Sequence, residues 1–206
     1  MSHSIHGRSC GSKGYIANEL IYKLIKMNKK TIFAIIGLAL VAFVGFGFYK
    51  ANGLKSIEII KTVNINGSQQ EVYEMVKYLN NFPKWSPFLA QDPNQKYVVK
   101  GTDGTVGAQY HWDGNEGKDI GYQEIVKLEE QKYVGMKCDI QKAFVAKPTF
   151  EYYFSKTANG IEVKQDFKLE SGLVDCFFMW LFGAKTAMEN TNQQGLDLLK
   201  KAVENK

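Results

Sequence analysis

Glu124 is the side chain for which general acid–base chemistry can best be argued from the sequence. It shares strand parity with Tyr122 and Leu128, and burial on such a face raises the pKa of a carboxyl group toward the range of a general base. The alternative parity, in which Gln123 and Ile125 face inward, leaves Glu124 in solvent. Glu124 is therefore a weak catalytic candidate, and the sequence assigns no catalytic set.

Few other residues could carry chemistry. His111 alternates with Tyr110 and Trp112, so a strand turns it away from the face of those two aromatic residues and toward the surface. Serine-nucleophile motifs, glycine-rich phosphate loops and zinc-ligand spacings are absent from the sequence. We therefore expect no metal and no cofactor.

The cysteines do not form a motif either. His3, His6 and Cys10 can be drawn as a metal cluster, but a mobile tail supplies no preorganised ligand geometry. Cys138 falls in a strand pattern and Cys176 opens a helix pattern, where a cysteine is typical of a small buried hydrophobe. A disulfide between Cys138 and Cys176 stays open as an alternative if this part of the chain is exported.

The net positive charge of the chain comes from residues 1–30. The 206 residues carry a formal net charge of +5, and residues 50–206 contain 20 basic and 20 acidic side chains. A neutral domain lacks the electrostatic footprint that binds a phosphate backbone. The sequence thus argues against a nucleic-acid partner.

An uncharged apolar run, residues 31–49, follows Lys29 and Lys30. Nineteen helical residues at ~1.5 Å each nearly span the ~30 Å hydrocarbon core of a bilayer. The bulky residues at the end of the run, Phe46, Phe48 and Tyr49, do not resemble a signal-peptidase site. We expect a retained single transmembrane helix.

Lysine placement gives a modest orientation signal. Four lysines precede the run within eight residues and three follow it within twelve, which predicts a cytoplasmic N-terminus and a C-terminal domain on the outer or periplasmic side. Met27 opens the sequence MNKK, a conventional start for such an anchor. We hypothesise that Met27 is the initiator and that the preceding residues are an over-extended reading frame.

The rest of the chain predicts one α+β domain. Residues 57–65 read as a strand, Ser68 with Glu71 as the N-terminal cap of a helix ending near Asn80, and residues 174–205 as a long helix. Short turn signals separate six further strand candidates, 96–100, 107–112, 119–128, 132–140, 149–155 and 161–169. A curved seven-stranded antiparallel sheet would bury one face on the C-terminal helix and leave a cavity at one end. The predicted organisation is a basic segment 1–30, a transmembrane helix 31–49, a linker 50–56 and a domain 57–206.

This element order, with INGSQQEVYEMVKYLNNFPKWSPF near the first helix, VGAQYHW in an early strand and GLDLLKKAVE at the end, resembles the SRPBCC superfamily. It is similar in particular to the polyketide cyclase/dehydrase and lipid-transport-like group, which has the helix-grip fold of START domains and birch-pollen-allergen-like proteins. The resemblance covers residues 57–204 and is most specific over residues 80–87. It implies a pocket for a hydrophobic or amphipathic small molecule.

Strand alternation indicates which side chains would line that pocket. Aromatic residues with hydroxyl or indole groups suit a site that holds an apolar body and fixes a polar head. Ordinary packing under the helix is the competing interpretation of each of them. The ligand-binding candidates are Trp85, Tyr110, Trp112, Tyr122, Met136, Phe150, Tyr152 and Phe154.

Three function classes follow from the sequence. The first is a membrane-anchored protein that binds a lipid or other apolar molecule without chemistry, held near the bilayer by the seven-residue linker 50–56. The second is a cyclase- or dehydrase-type enzyme that uses polar groups of the same cavity. The third is an envelope or stress protein that acts through protein contacts, for which residues 177–180 offer either a surface or a lid.

Overall fold

The computed structural model describes residues 28–142 and 144–205, and the chain divides into two compact units between Phe46 and Gly47. The first unit contains most of helix α1, Lys29–Ala51. The stretch Lys29–Leu54 is long and apolar enough to cross a membrane, and little of it is buried. A signal sequence passes the same length test, whereas a helix in the core of a soluble protein is mostly buried.

The second unit is an α+β domain. Its helices after α1 are short except for the last one: α2 Gln69–Lys77, α3 Pro87–Gln91, α4 Leu173–Leu181 and α5 Ala184–Glu204. Its strands are β1 Ser56–Ile65, β2 Lys96–Lys100, β3 Gln109–Gly114, β4 Asp119–Glu129, β5 Tyr133–Ile140, β6 Thr149–Thr157 and β7 Gly160–Glu170.

All seven strands form one curved antiparallel sheet in the order β1-β7-β6-β5-β4-β3-β2. Chain neighbours from β2 to β7 pair through short connections, and β1 closes onto β7 in register from Ser56 opposite Glu170 to Ile65 opposite Ile161. Helix α5 packs against β1, β7, α2 and α3. The predicted fold class, a helix-grip arrangement of sheet and C-terminal helix, is confirmed.

The core lies between α2, one end of α5 and the inner face of the sheet. Leu196, Leu199 and Val203 of α5 are buried there, together with Val72 and Val76 of α2. Each such aliphatic side chain contributes roughly 1.5–3 kcal/mol through removal from water. This packed end fixes the helix on the sheet.

Two helix boundaries differ from the sequence expectation. Helix α2 ends at Lys77, because the carboxylate of Asp103 accepts the backbone N–H of Leu79 at 2.7 Å and of Asn80 at 3.2 Å, and a 3₁₀ segment follows. The expected single C-terminal helix is two helices, since Gly183 adopts a left-handed φ of 65° between α4 and α5. Neither difference changes the layer arrangement.

One glycine, Gly195, lies in the interior of α5. Gly195 is buried against Pro87, and an added Cβ would lie 3.6 Å from the ring carbons of that proline, an ordinary contact. Because a helix-interior glycine costs roughly 0.5–1 kcal/mol relative to alanine, we expect Gly195→Ala to raise the free energy of unfolding by about that amount. Denaturant unfolding of the detergent-solubilised full chain measures it. A loss of stability would mean that the helix cannot accept the methyl group.

Candidate ligand-binding cavity

A cavity of about 1430 Å³ lies between the sheet and the N-terminal half of α5. One wall is the inner face of the sheet, a second is α5 from Ala184 to Gly195, and a third is the segment from Phe82 to Lys96. The apolar and aromatic lining residues include Phe82, Trp85, Phe88, Tyr110, Trp112, Ile140, Phe144, Phe150, Tyr152, Phe167, Leu169 and Met188.

Trp85 is held in the third wall by its surroundings. Its indole Nε1 donates a hydrogen bond to the backbone carbonyl of Met75 at 3.2 Å. Its ring meets Phe82 edge-on at 4.8 Å and Tyr152 at 6.0 Å between centroids. Pro87 occupies the first turn of α3, where its missing N–H costs no helical hydrogen bond. These contacts fix Trp85 and Pro87 in the third wall of the cavity.

The inner face of the sheet carries four polar side chains within this apolar setting. Tyr110 is opposite Gln123 across β3 and β4, and Tyr152 is opposite Gln165 across β6 and β7. Gln165 Nε2 donates to the Tyr152 hydroxyl at 3.0 Å. Burial raises the pKa of both tyrosines well above the usual range, so both hydroxyls stay neutral at physiological pH.

The charged lining residues lie at the exposed edge of the cavity. Asp92 accepts the backbone N–H of Asn115 at 2.8 Å, and Asp119 accepts the indole N–H of Trp112 at 3.0 Å. The other charged side chains in the lining are exposed: Lys96, Asp113 and Glu116. These groups form a polar rim, while the interior is uncharged.

The structure brings together five of the eight ligand-binding candidates: Trp85, Tyr110, Trp112, Phe150 and Tyr152 all line the cavity. The other three lie elsewhere. Met136 is 2% exposed within the packed core, and Phe154 packs edge-on against Tyr73 with centroids 5.6 Å apart. Tyr122 lies on the opposite face of the sheet, where its ring stacks on His111 at 5.2 Å.

Glu124 shares that outer face. Gln109 Nε2 donates to its carboxylate at 2.7 Å and Lys137 Nζ lies 3.2 Å away. The Gln109 hydrogen bond, and then the Lys137 contacts, hold the pKa of Glu124 below its usual value, the opposite of what a general base at neutral pH requires. The parity that places Gln123 and Ile125 inward is therefore the one adopted.

We expect Glu124→Gln to leave ligand binding unchanged and to have a small, pH-dependent effect on stability. A carboxylate whose folded pKa is depressed stabilises the fold above its unfolded pKa of about 4.3, and that contribution is lost as the pH falls through the lower folded value. At pH 7 the cost is less than about 1 kcal/mol, because the Lys137 side chain is 49% exposed and water screens the pair. Unfolding curves of the wild type and the variant should differ at pH 7 and coincide at pH 3. If the full difference in stability persisted at pH 3, the lowered pKa of Glu124 in the folded protein would be contradicted.

His111 also lies outside the cavity. Its Nε2 is 2.9 Å from Gln109 Oε1, and burial, with the Lys100 charge, lowers its pKa. The expectation that alternation turns His111 away from Tyr110 agrees with this placement.

Cys138 and Cys176 are both free and buried, so the disulfide left open from the sequence does not form. Cys138 lines the cavity, and burial raises its pKa to about 12, which keeps the thiol protonated and poorly nucleophilic. Among residues 28–142 and 144–205, no group of three or more histidine, cysteine or acidic side chains is arranged to hold a metal ion. His3, His6, Cys10 and Met27 lie outside the described residues.

Sequence reasoning missed two residues that matter to the cavity. Gln123 and Gln165 line it and are 6% and 4% exposed. Gln123 faces inward only in the alternative parity of β4. In β7 the charged residues Lys164, Asp166 and Lys168 mark the outer face of the strand, and Gln165 lies on the inner one. The segment 177–180, considered as a lid, is not part of the lining, although Phe178 is 50% exposed on α4.

No protein-family model and no curated protein matches the sequence. Solved structures do match. Protein MLL2253 from Mesorhizobium loti is 9% identical with a TM-score of 0.55, covering 72% of this chain and 98% of that one. Ara h 8.0201 is 11% identical with a TM-score of 0.54, covering 73% and 99%.

A third structure, the di-domain ARO/CYC StfQ from the steffimycin biosynthetic pathway, is 11% identical with a TM-score of 0.55. The match covers 73% of this chain and 51% of that one. At such low identities the likeness establishes the fold alone. The domain has the SRPBCC-type helix-grip fold, as the sequence resemblance implied.

Proposed function

We propose that this SRPBCC-fold chain is a membrane-anchored protein that binds a hydrophobic or lipid-like small molecule in the cavity between the sheet and α5. The observation that carries the proposal is the cavity of about 1430 Å³ beside a well-packed core. Ligand pockets are usually about 300–1,000 Å³ and mostly apolar, with a few polar groups that fix orientation. This cavity is large enough for a lipid-sized molecule and has that composition.

Anchoring supports the same role. Helix α1 has the length and composition of a single membrane span, and residues 29–30 and Lys50 place lysines at its ends, as interfacial anchors do. A domain tied to a bilayer by its own chain meets membrane-dissolved ligands at a raised effective concentration. The lysine bias favours a cytoplasmic N-terminus with the domain on the outer or periplasmic side.

Protease added to intact spheroplasts tests that orientation. We expect the C-terminal domain to be digested while a cytoplasmic marker protein survives. A domain that stays intact until the cells are lysed would place it in the cytoplasm. Release of the full chain by alkaline carbonate would argue against a membrane span altogether.

Binding is better supported than a cyclase- or dehydrase-type reaction in the same cavity. Such a reaction needs an acid–base group or nucleophile that faces the substrate. Tyr110 and Tyr152 have raised pKa values, the Cys138 thiol is protonated, and Glu124 is on the outer face. The interior therefore offers neutral hydrogen-bonding groups.

A titration with the neutral fluorescent probe N-phenyl-1-naphthylamine tests the proposal. The full chain in phospholipid nanodiscs should bind one probe molecule per chain above the background of empty nanodiscs. Organic extraction of the purified protein, followed by mass spectrometry, should recover one enriched lipid-like species. If the probe does not bind saturably and no species is enriched, the proposal is overturned.

A further inference from the structure

The four polar side chains of the inner sheet face form one group, here called the polar belt: Tyr110, Gln123, Tyr152 and Gln165. Its two halves are the cross-strand pairs on β3/β4 and on β6/β7. Cys138 on β5 is the register partner of Gln123 and also lines the cavity. The two halves lie on either side of β5 in the sheet, and all four residues line the same cavity.

Three atoms of the belt lack a hydrogen-bond partner among the described residues: Tyr110 OH, Gln123 Nε2 and Gln165 Oε1. The residues that carry them are 1%, 6% and 4% exposed. A buried polar atom left unpaired costs roughly 1–3 kcal/mol, and native proteins pair nearly all such atoms. Three such atoms, all on residues that line one cavity, indicate a partner that enters the cavity.

The chemistry of that partner follows from the free atoms. Gln123 Nε2 is a donor and needs an acceptor, whereas Gln165 Oε1 is an acceptor and needs a donor. Gln165 Nε2 donates to the Tyr152 hydroxyl at 3.0 Å, and Oε1 is the atom of that amide without a partner. The hydroxyl of Tyr110 can serve as either donor or acceptor. The complementary group must therefore both accept and donate.

The belt also lacks a countercharge. The charged lining residues belong to the exposed rim, between Asp92 and Asp119 in the chain, and Lys96 is the single cation among the described lining residues. A carboxylate or ammonium group placed against the belt would lose its hydration without gaining an ion pair, and a buried unpaired charge is far more costly than a paired one.

We infer that the ligand presents an uncharged polar group that both donates and accepts hydrogen bonds, such as a primary amide or a hydroxyl beside a carbonyl, to the polar belt. This inference rests on the proposed function, because it assigns the ligand class of the same cavity. It excludes free fatty acids and alkyl amines as preferred ligands. The rim remains free to contact solvent or a second polar part of the molecule.

Three probes with one alkyl chain test the inference: decanamide, decanoate and decylamine. Each competes with N-phenyl-1-naphthylamine for the full chain in zwitterionic nanodiscs at pH 7.5, with empty nanodiscs correcting for partition. We expect decanamide to displace the fluorescent probe at a concentration at least about tenfold lower than either charged probe. Equal potency, or a preference for decanoate through Lys96, would overturn the inference while the proposed function stands. Absence of binding by the fluorescent probe itself would overturn both.

Variants of the belt separate recognition from folding. Gln123→Leu should raise the decanamide concentration needed for displacement by about tenfold, after correction for any change in the affinity of the fluorescent probe itself. Its unfolding temperature should be equal or higher, since an unpaired polar atom is removed. Tyr110→Phe, which deletes only a hydroxyl, should act in the same direction with little risk to folding. Gln193→Leu, on α5 and outside the lining, is the matched control. Full amide preference in both belt variants would overturn the inference.

Discussion

Two tryptophans on the cavity face of α5, Ala187→Trp with Thr191→Trp, should weaken binding of N-phenyl-1-naphthylamine by at least about tenfold. Both positions line the cavity and are four residues apart, so their side chains are neighbours on one face of the helix. The two indole rings would project between helix and sheet and occupy ligand space. Fluorescence titration of the full chain in nanodiscs measures the loss.

The control for this variant lies one position back along the same helix. Thr186 and Asn190 have the same spacing, are exposed, and are not in the lining, so the double substitution Thr186→Trp with Asn190→Trp adds the same side chains outside the cavity. We expect its affinity to be that of the wild type. Equal losses in both variants, or no loss in either, would show that the probe binds elsewhere, for example in the lipid.

Gly160→Ala is expected to give the largest loss of stability, about 3 kcal/mol or more from strain and clash together. Gly160 opens β7 after the tight turn from β6 and has φ of 114°, a conformation that side-chain-bearing residues rarely adopt. An added Cβ would lie less than 2.5 Å from the carbonyl oxygen of Ile65 on β1. Because that oxygen is backbone within the paired sheet edge, it cannot move aside cheaply.

Gly107→Ala separates the two causes. Gly107 also has a left-handed φ, 89°, but a Cβ there would meet nothing within 4 Å, so only conformational strain of about 1–3 kcal/mol applies. Chemical denaturation of both variants in the full chain, followed by tryptophan fluorescence, gives the comparison. Similar losses would mean that the Ile65 carbonyl yields and that the clash contributes little.

Most of the secondary structure was predictable because its signals are local. The strand candidates correspond to the seven strands of the sheet, and Ser68 caps α2 by accepting the N–H of Glu71 at 3.2 Å. The end of α2 was not predictable from neighbours in sequence, because Asp103, 24 residues beyond Leu79, captures the N–H groups that follow the helix. The break at Gly183 replaces one expected helix by two.

The candidate site was predictable in part. Alternation along β3 and β6 placed Tyr110, Trp112, Phe150 and Tyr152 on one face, and all four line the cavity. The parity of β4 was ambiguous by sequence, because the alternating set that contains Tyr122 and the set that contains Gln123 both include apolar residues that could face inward. Pairing with β3 and β5 decides it and turns Gln123 inward.

The sequence by itself determined the apolar span near the N-terminus, the balanced charge of the following domain, and the order of strand, helix, six strands and C-terminal helix. These properties depend on composition and on periods of two to four residues, which a single chain displays directly. Only the tertiary structure decided where the sheet and α5 leave space, and which of the residues around that space carry unpaired polar atoms. A cavity is a lack of packing between elements distant in sequence, so it appears only when all of its walls are in place.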